Sequence, residues 1–209
     1  MRAVNFFKNP EVLGNNMTKN EKVLAEFKKI ELERLLIMVK TGQVSILSED
    51  KMKINGVMSA HLVNTTEDEA WNVLLNYDSY SRFLPGIQSS KVLSRCGNTI
   101  TARFVAGLKV MGVGGTVKYT YRFEIRRPYA EVYDAATGEP TGYWAIIPTS
   151  DKNQIILVHA DTAKDVGSAH LFLRFLVEKL PTAELALNIS PVVMLVNRMK
   201  HRMEQLRKK

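Results

Sequence analysis

The residues with the plainest chemical capacity are His159 and Asp161, set in "QIILVHADT". An imidazole and a carboxylate two positions apart on a strand share one face, where they can orient a substrate or move a proton. Ile155 and Leu157 lie on that face, while Ile156, Val158, Ala160 and Thr162 make the other. Both faces are largely apolar, so the pattern leaves open which one points inward. Two phenols, Tyr119 and Tyr121, occupy the cleanest alternating strand, where Val117, Tyr119, Tyr121, Phe123 and Ile125 alternate with Thr116, Lys118, Thr120, Arg122 and Glu124. Buried hydroxyls usually find a partner, so these tyrosines suit the recognition of a polar group on a bound molecule. His159, Tyr121 and Asp161 are therefore the candidate catalytic residues; Asp134, alternating with Val132, leaves the same question of face open.

No reaction signature surrounds them. There is no Ser/His/Asp order, nucleophile elbow, phosphate loop or HExxH pattern, and nothing calls for a metal or cofactor. The run "GVGG" (Gly112 to Gly115) precedes a strand where a nucleotide loop needs a helix N-terminus. It reads as a hairpin which, with Leu108, Val110, Met111 and Val113, could form one side of a cavity mouth or touch a membrane. Cys96 is the single cysteine and has no partner for a disulfide, which fits a reduced, cytoplasmic setting.

The elements that position these groups can be read from periodicity. With 209 residues, 45% of them hydrophobic, the chain suits one domain with a sizeable core and an appendage. The N-terminal "MRAVNFFKNPEVLGNN" lacks the continuous apolar core of a secretory signal, and no run of about 18 apolar residues suggests a membrane span. Thr18 and Glu21 form a capping box ahead of Val23, Leu24, Phe27, Ile30, Leu35 and Met38, which predicts one amphipathic helix outside the main pattern. From Lys51 the period becomes two: Met52, Ile54, Gly56, Met58, Ala60 and Leu62 alternate with Lys53, Asn55, Val57, Ser59 and His61. A second capping box, Thr66 and Glu69, opens a short helix with Ala70, Trp71, Leu74 and Leu75 inward.

Six strands follow, over 87–94, 99–110, 116–126, 130–135, 143–147 and 154–162, separated by turn residues. Short connections imply a mainly antiparallel sheet. "AHLFLRFLVEKLP" (Ala169 to Pro181) is an apolar segment too short to span a bilayer and is expected to pack in a domain groove, with rest at a membrane interface as the alternative. Ser190 as cap and Pro191 at the first helical position then start a long helix with Val192, Leu195, Val196, Met199, Met203 and Leu206 as its stripe. Much of the net charge of +8 sits in its tail, "NRMKHRMEQLRKK", which is read as a solvated helix end, with an anionic membrane or RNA as the alternatives. The fold class is α+β: a curved, mainly antiparallel sheet wrapped around a long C-terminal helix, with an extra N-terminal helix.

At "TTEDEAWNVLLNYDSYSRFLPGIQSSKVL", supported by "GYWAIIP", the chain resembles the START-like helix-grip superfamily, which includes polyketide cyclases and coenzyme Q binding proteins. The resemblance runs from about Gly42 to the end, so residues 1–41 are an N-terminal extension and 42–209 the helix-grip domain. It implies that Trp71 packs in the core and that Tyr80, Phe83 and Pro85 shape a second short helix and the bend into the next strand. It also implies an apolar or amphipathic ligand between sheet and last helix. The expected wall is Met58, Phe104, Tyr119, Tyr121, Phe123, Trp144, Ile146, Met194, Met199 and Met203. Three functions fit: a binder or carrier of a lipid, quinone, isoprenoid or polyketide-like molecule, with peripheral membrane contact; a cyclase or aromatase using Tyr119, Tyr121 or His159; or a ribosome- or RNA-associated protein. Only Tyr80 and Phe83 stand out as exposed aromatics for base stacking, which disfavours nucleic acid.

Overall fold

The computed structural model of the chain describes residues 17–50, 53–110, 113–163 and 181–207. It begins with the expected capping box, in which Thr18 Oγ1 accepts from Glu21 N–H and the Glu21 carboxylate accepts from Thr18 N–H. Two helices follow where one was expected, α1 (Lys19–Lys28) and α2 (Leu32–Val39). Lys29 and Ile30 donate only three residues back, to Glu26 and Phe27, and Glu31 is extended, so the chain turns. The bend lays Val23, Leu24 and Phe27 of α1 and Leu35 and Val39 of α2 on one sheet surface. Burial on a curved surface overrides the helical propensity of the intervening residues.

An edge strand absent from the sequence reading comes next, β1 (Val44–Asp50), and it pairs with β2 (Lys53–Val63). Then come α3 (Glu67–Leu74), a 3-10 turn (Tyr77–Arg82) and the six anticipated strands: β3 (Ile87–Cys96), β4 (Thr99–Val110), β5 (Val113–Arg126), β6 (Tyr129–Asp134), β7 (Pro140–Pro148) and β8 (Ile155–Thr162). They form one antiparallel sheet in the order β1-β2-β8-β7-β6-β5-β4-β3. The closing helix, α4, is Pro181–Arg207.

Ser190 is therefore no cap, because α4 runs through Pro191. Proline there forgoes one main-chain hydrogen bond. Burial of Val192, Val196, Met199 and Met203 against the sheet and α3 opposes that cost. Leu206 of the expected stripe is 42% exposed. The segment 169–180 and Gly112 of the glycine run lie outside the described residues.

Both surfaces of the sheet are covered at the β2-β8-β7 end. α1 and α2 lie on the outer surface, against Met58, Ala60, Tyr143, Ala145, Ile156, Val158 and Ala160. A Cβ at Gly56 would sit 2.5 Å from Val23 Cγ1, so α1 approaches this closely only because position 56 has no side chain. Lys28 anchors α1 further: its Nζ is 2.6 Å from Glu131 Oε1 and lies over the rings of Tyr129 and Tyr143.

The stretch "NYDSYSRFLPG" closes the opposite end of the inner surface. Tyr77 stacks on Phe123 with ring centres 4.1 Å apart, and Tyr80 donates from its hydroxyl to the Leu74 carbonyl at 2.6 Å. Tyr80 is buried and Phe83 half-buried beneath the Arg202 guanidinium, which corrects the reading of both as exposed aromatics.

Candidate functional site

The inner surface of the sheet carries one apolar cluster, which includes Trp71, Tyr77, Phe104, Phe123, Trp144, Met199 and Met203. Strand register brings polar groups onto the same surface. Tyr121 lies opposite Asp134, His159 sits between Trp144 and Ser59, and Asp161 sits between Gly142 and Val57. Directly opposed residues share a sheet face, so these side chains form one inward set.

The open question of His159 is thereby answered. Its ring lies flat on Trp144, centres 4.0 Å apart and planes 15° apart, and its strand neighbours Ile155 and Leu157 belong to the core beneath α4. Nδ1 is 3.1 Å from the Tyr143 carbonyl oxygen. A carbonyl can only accept, so in the neutral ring Nδ1 carries the proton and Nε2 is the basic nitrogen. Asp161 faces the same way. Asp134 also faces inward, but its Oδ1 accepts from the backbone of Ala136 and Thr137, so it holds the β6–β7 turn.

Of the expected wall, Phe104, Phe123, Trp144, Ile146, Met199 and Met203 are buried inward, and Tyr119 and Tyr121 are half-buried there, their rings parallel at 6.0 Å. Two positions are corrected. Met58 is on the outer surface under α1 and α2, where the Tyr143 hydroxyl donates to its sulfur at 3.7 Å. Met194 is 40% exposed on α4. The reason for the first is that the N-terminal helices bury the outer surface, so the more apolar half of β2's alternation marks that side.

Its more polar half, Val57, Ser59 and His61, faces inward. Ser59 was not singled out from sequence, yet it is fully buried; its Oγ accepts from Gln43 Nε2 at 2.9 Å and donates to the Val44 carbonyl at 3.1 Å. Gln43 Nε2 also donates to the Val193 carbonyl of α4 at 2.7 Å, tying sheet to helix. The only sequence signal was a serine inside a strand buried on both faces.

His61 lies under α4 near Lys200, His201 and Glu204, and its Nδ1 is buried with no hydrogen-bond partner among the described residues. Burial first, and Lys200 second, hold its pKa below the ordinary imidazole value, against the opposing pull of the Leu62 main chain and then of Glu204. The folded state thus binds this proton less readily than the unfolded chain. Stability from this group is present above the unfolded pKa of about 6.5 and is lost as pH falls below it. Melting temperature is expected to drop between about pH 7 and pH 5, and the drop to be shallower in His61→Gln. Equal slopes for the two proteins would reject the assignment.

Among the described residues there is no cluster of three metal-ligating side chains and no helix long and apolar enough to cross a membrane.

The architecture has solved counterparts. A STAR-related lipid transfer protein fragment from Xanthomonas axonopodis is similar, with a TM-score of 0.59 at 11% identity, covering 78% of this chain and 94% of its own. Human StAR-related lipid transfer protein 5 is similar at a TM-score of 0.56 and 10% identity, covering 89% and 99%. A protein from Thermus thermophilus, TTHA0849, follows at 0.50 and 16%, covering 72% and 98%. At such identities the likeness establishes the fold, a START-like helix grip. No curated protein sequence matches. A family model described as polyketide cyclase / dehydrase and lipid transport matches residues 63–199. That span runs from the end of β2 into α4 and takes in Tyr119, Tyr121, Asp134, His159 and Asp161, so the chain belongs to the polyketide cyclase / dehydrase and lipid transport family.

Proposed function

We propose that the protein binds a hydrophobic small molecule of the lipid, quinone, isoprenoid or polyketide-like class between the inner sheet surface and α4. The observation that carries this reading is the mixed character of that surface, apolar with a few polar groups facing the same way. The apolar cluster on that face is joined there by Tyr119 and Tyr121 on β5 and, on β8, by Asp161 and by His159, whose ring stacks on Trp144. An apolar body with one polar group matches such a surface. Burial of roughly 400 Å² of ligand contributes on the order of 10 kcal/mol, against association costs of about 4–15 kcal/mol, so polar groups must supply selectivity. The resemblance of the fold to lipid transfer proteins supports the same reading, including carriage or presentation of the ligand at a membrane. In this reading residues 42–209 are the binding domain, and residues 1–41 are an extension whose helices α1 and α2 brace its outer surface.

The test is native mass spectrometry of the purified chain, then solvent extraction and identification of what is released. A stoichiometric apolar adduct is expected, and Tyr121→Phe should weaken re-binding of the extracted molecule by about three- to tenfold through loss of one hydrogen bond. A clean mass with no uptake from a lipid and quinone panel overturns the reading.

A second reading, an enzyme of the cyclase type, draws on the fixed ring of His159 beside Asp161. It requires that His159→Gln abolish product formation while ligand still binds.

A further inference from the structure

From Ser79 to Phe123 the chain has seven lysines and arginines and no aspartate or glutamate: Arg82, Lys91, Arg95, Arg103, Lys109, Lys118 and Arg122. This acid-free stretch builds β3, β4 and most of β5. Register gathers part of its charge on the outer surface of those strands. Lys91 lies directly opposite Arg103, and Arg103 lies opposite Thr120, whose same-face neighbours are Lys118 and Arg122. Lys91, Arg103 and Lys118 are exposed. Arg122 is neutralised by Glu124 at 3.4 Å, but the other three make no ion pair among the described residues.

Like charges directly opposed across two strands destabilise a sheet. Among the described residues, α1 and α2 cover only the far end of this outer surface, and Lys91, Arg103 and Lys118 at the cationic end are exposed. We propose that the outer surface of β3-β4-β5 is a docking face for an anionic lipid bilayer. This goes beyond ligand binding, because it concerns the opposite surface of the sheet.

The make-up of the face favours lipid over nucleic acid. Among the described residues the large exposed hydrophobic side chains include Leu93, beside Lys91 on β3, and no aromatic, so the face shows no platform for base stacking. Exposed cations with a leucine beside them suit the surface of an anionic membrane.

The experiment is vesicle flotation with the full chain, using phosphatidylcholine alone and phosphatidylcholine mixed with phosphatidylglycerol. Binding is expected only to the anionic vesicles and should weaken with salt. The triple variant Lys91→Thr, Arg103→Thr, Lys118→Thr should lose affinity by roughly 100-fold, at about fivefold per charge. Because it removes an opposed like-charge pair, the variant should melt no lower than the parent; if it does not fold, Arg103→Thr alone should still lose about fivefold. Unchanged vesicle binding by a folded variant, or equal binding to neutral vesicles, overturns the proposal. So does a parent protein that ignores both vesicles and binds duplex RNA with a steep salt dependence, which assigns the face to nucleic acid.

Discussion

Trp71→Ala is expected to lower the unfolding free energy by about 3–5 kcal/mol and the melting temperature by on the order of 10 °C. Trp71 is fully buried on α3, in the cluster where Leu74, Tyr77, Phe123 and Met199 converge. α3 is only eight residues long, and although its capping box satisfies the first turn, a helix this short persists through the face it buries. Removing the indole takes the largest of those side chains from the junction of α3, the sheet and α4, and the aromatic stack behind it cannot collapse to fill the space. Trp71→Phe should cost much less. The indole Nε1 is buried with no hydrogen-bond partner among the described residues, so phenylalanine sacrifices no bond there, and Arg127, whose guanidinium lies 5.2 Å from the indole ring, keeps a ring to cover. Urea titration of the three proteins measures this. A cost below about 1 kcal/mol for alanine would mean that α3 does not seal this end of the core.

How much of this was legible in the sequence follows from which forces are local. The strands from β3 to β8 are legible because each pairs mainly with a chain neighbour, so alternation and turn residues suffice. α3 is legible from Thr66 and Glu69, whose reciprocal bonds need nothing beyond four residues. The errors all depend on distant partners. β1 exists because β2 offers it an edge, and α1 breaks from α2 because both must follow one curved surface. Met58 was assigned inward because alternation reveals two faces without saying which is the concave one. The same ambiguity hid the direction of His159, which only the stack on Trp144 and the company of Ile155 and Leu157 resolve. Net charge was misleading in another way. A basic C-terminal tail draws the eye, whereas the cations of β3 to β5 are dispersed along the chain and become a patch only through register.

Gly142→Val is expected to lower the unfolding free energy by about 3 kcal/mol and to remove ligand uptake as well. A Cβ at this position would stand 2.4 Å from the Ala160 carbonyl oxygen and 3.2 Å from Asp161 Oδ1. The first of these is main chain in the middle of the sheet, where β7 is paired on one side with β6 and on the other with β8. No side-chain rotation relieves that contact, so β8 must move away from β7 or their ladder must open. Either response displaces Asp161 and pulls His159 off Trp144, while Trp71 and Tyr77 sit on α3 and the turn that follows it. Hydrogen exchange should therefore show lost protection in β7 and β8 with α3 little changed, alongside loss of the bound molecule in native mass spectra. If the exchange pattern changes as expected but the ligand stays bound, then the His159 and Asp161 end of the sheet does not hold it. The binding site would then have to be sought nearer Tyr119, at the far end of β5.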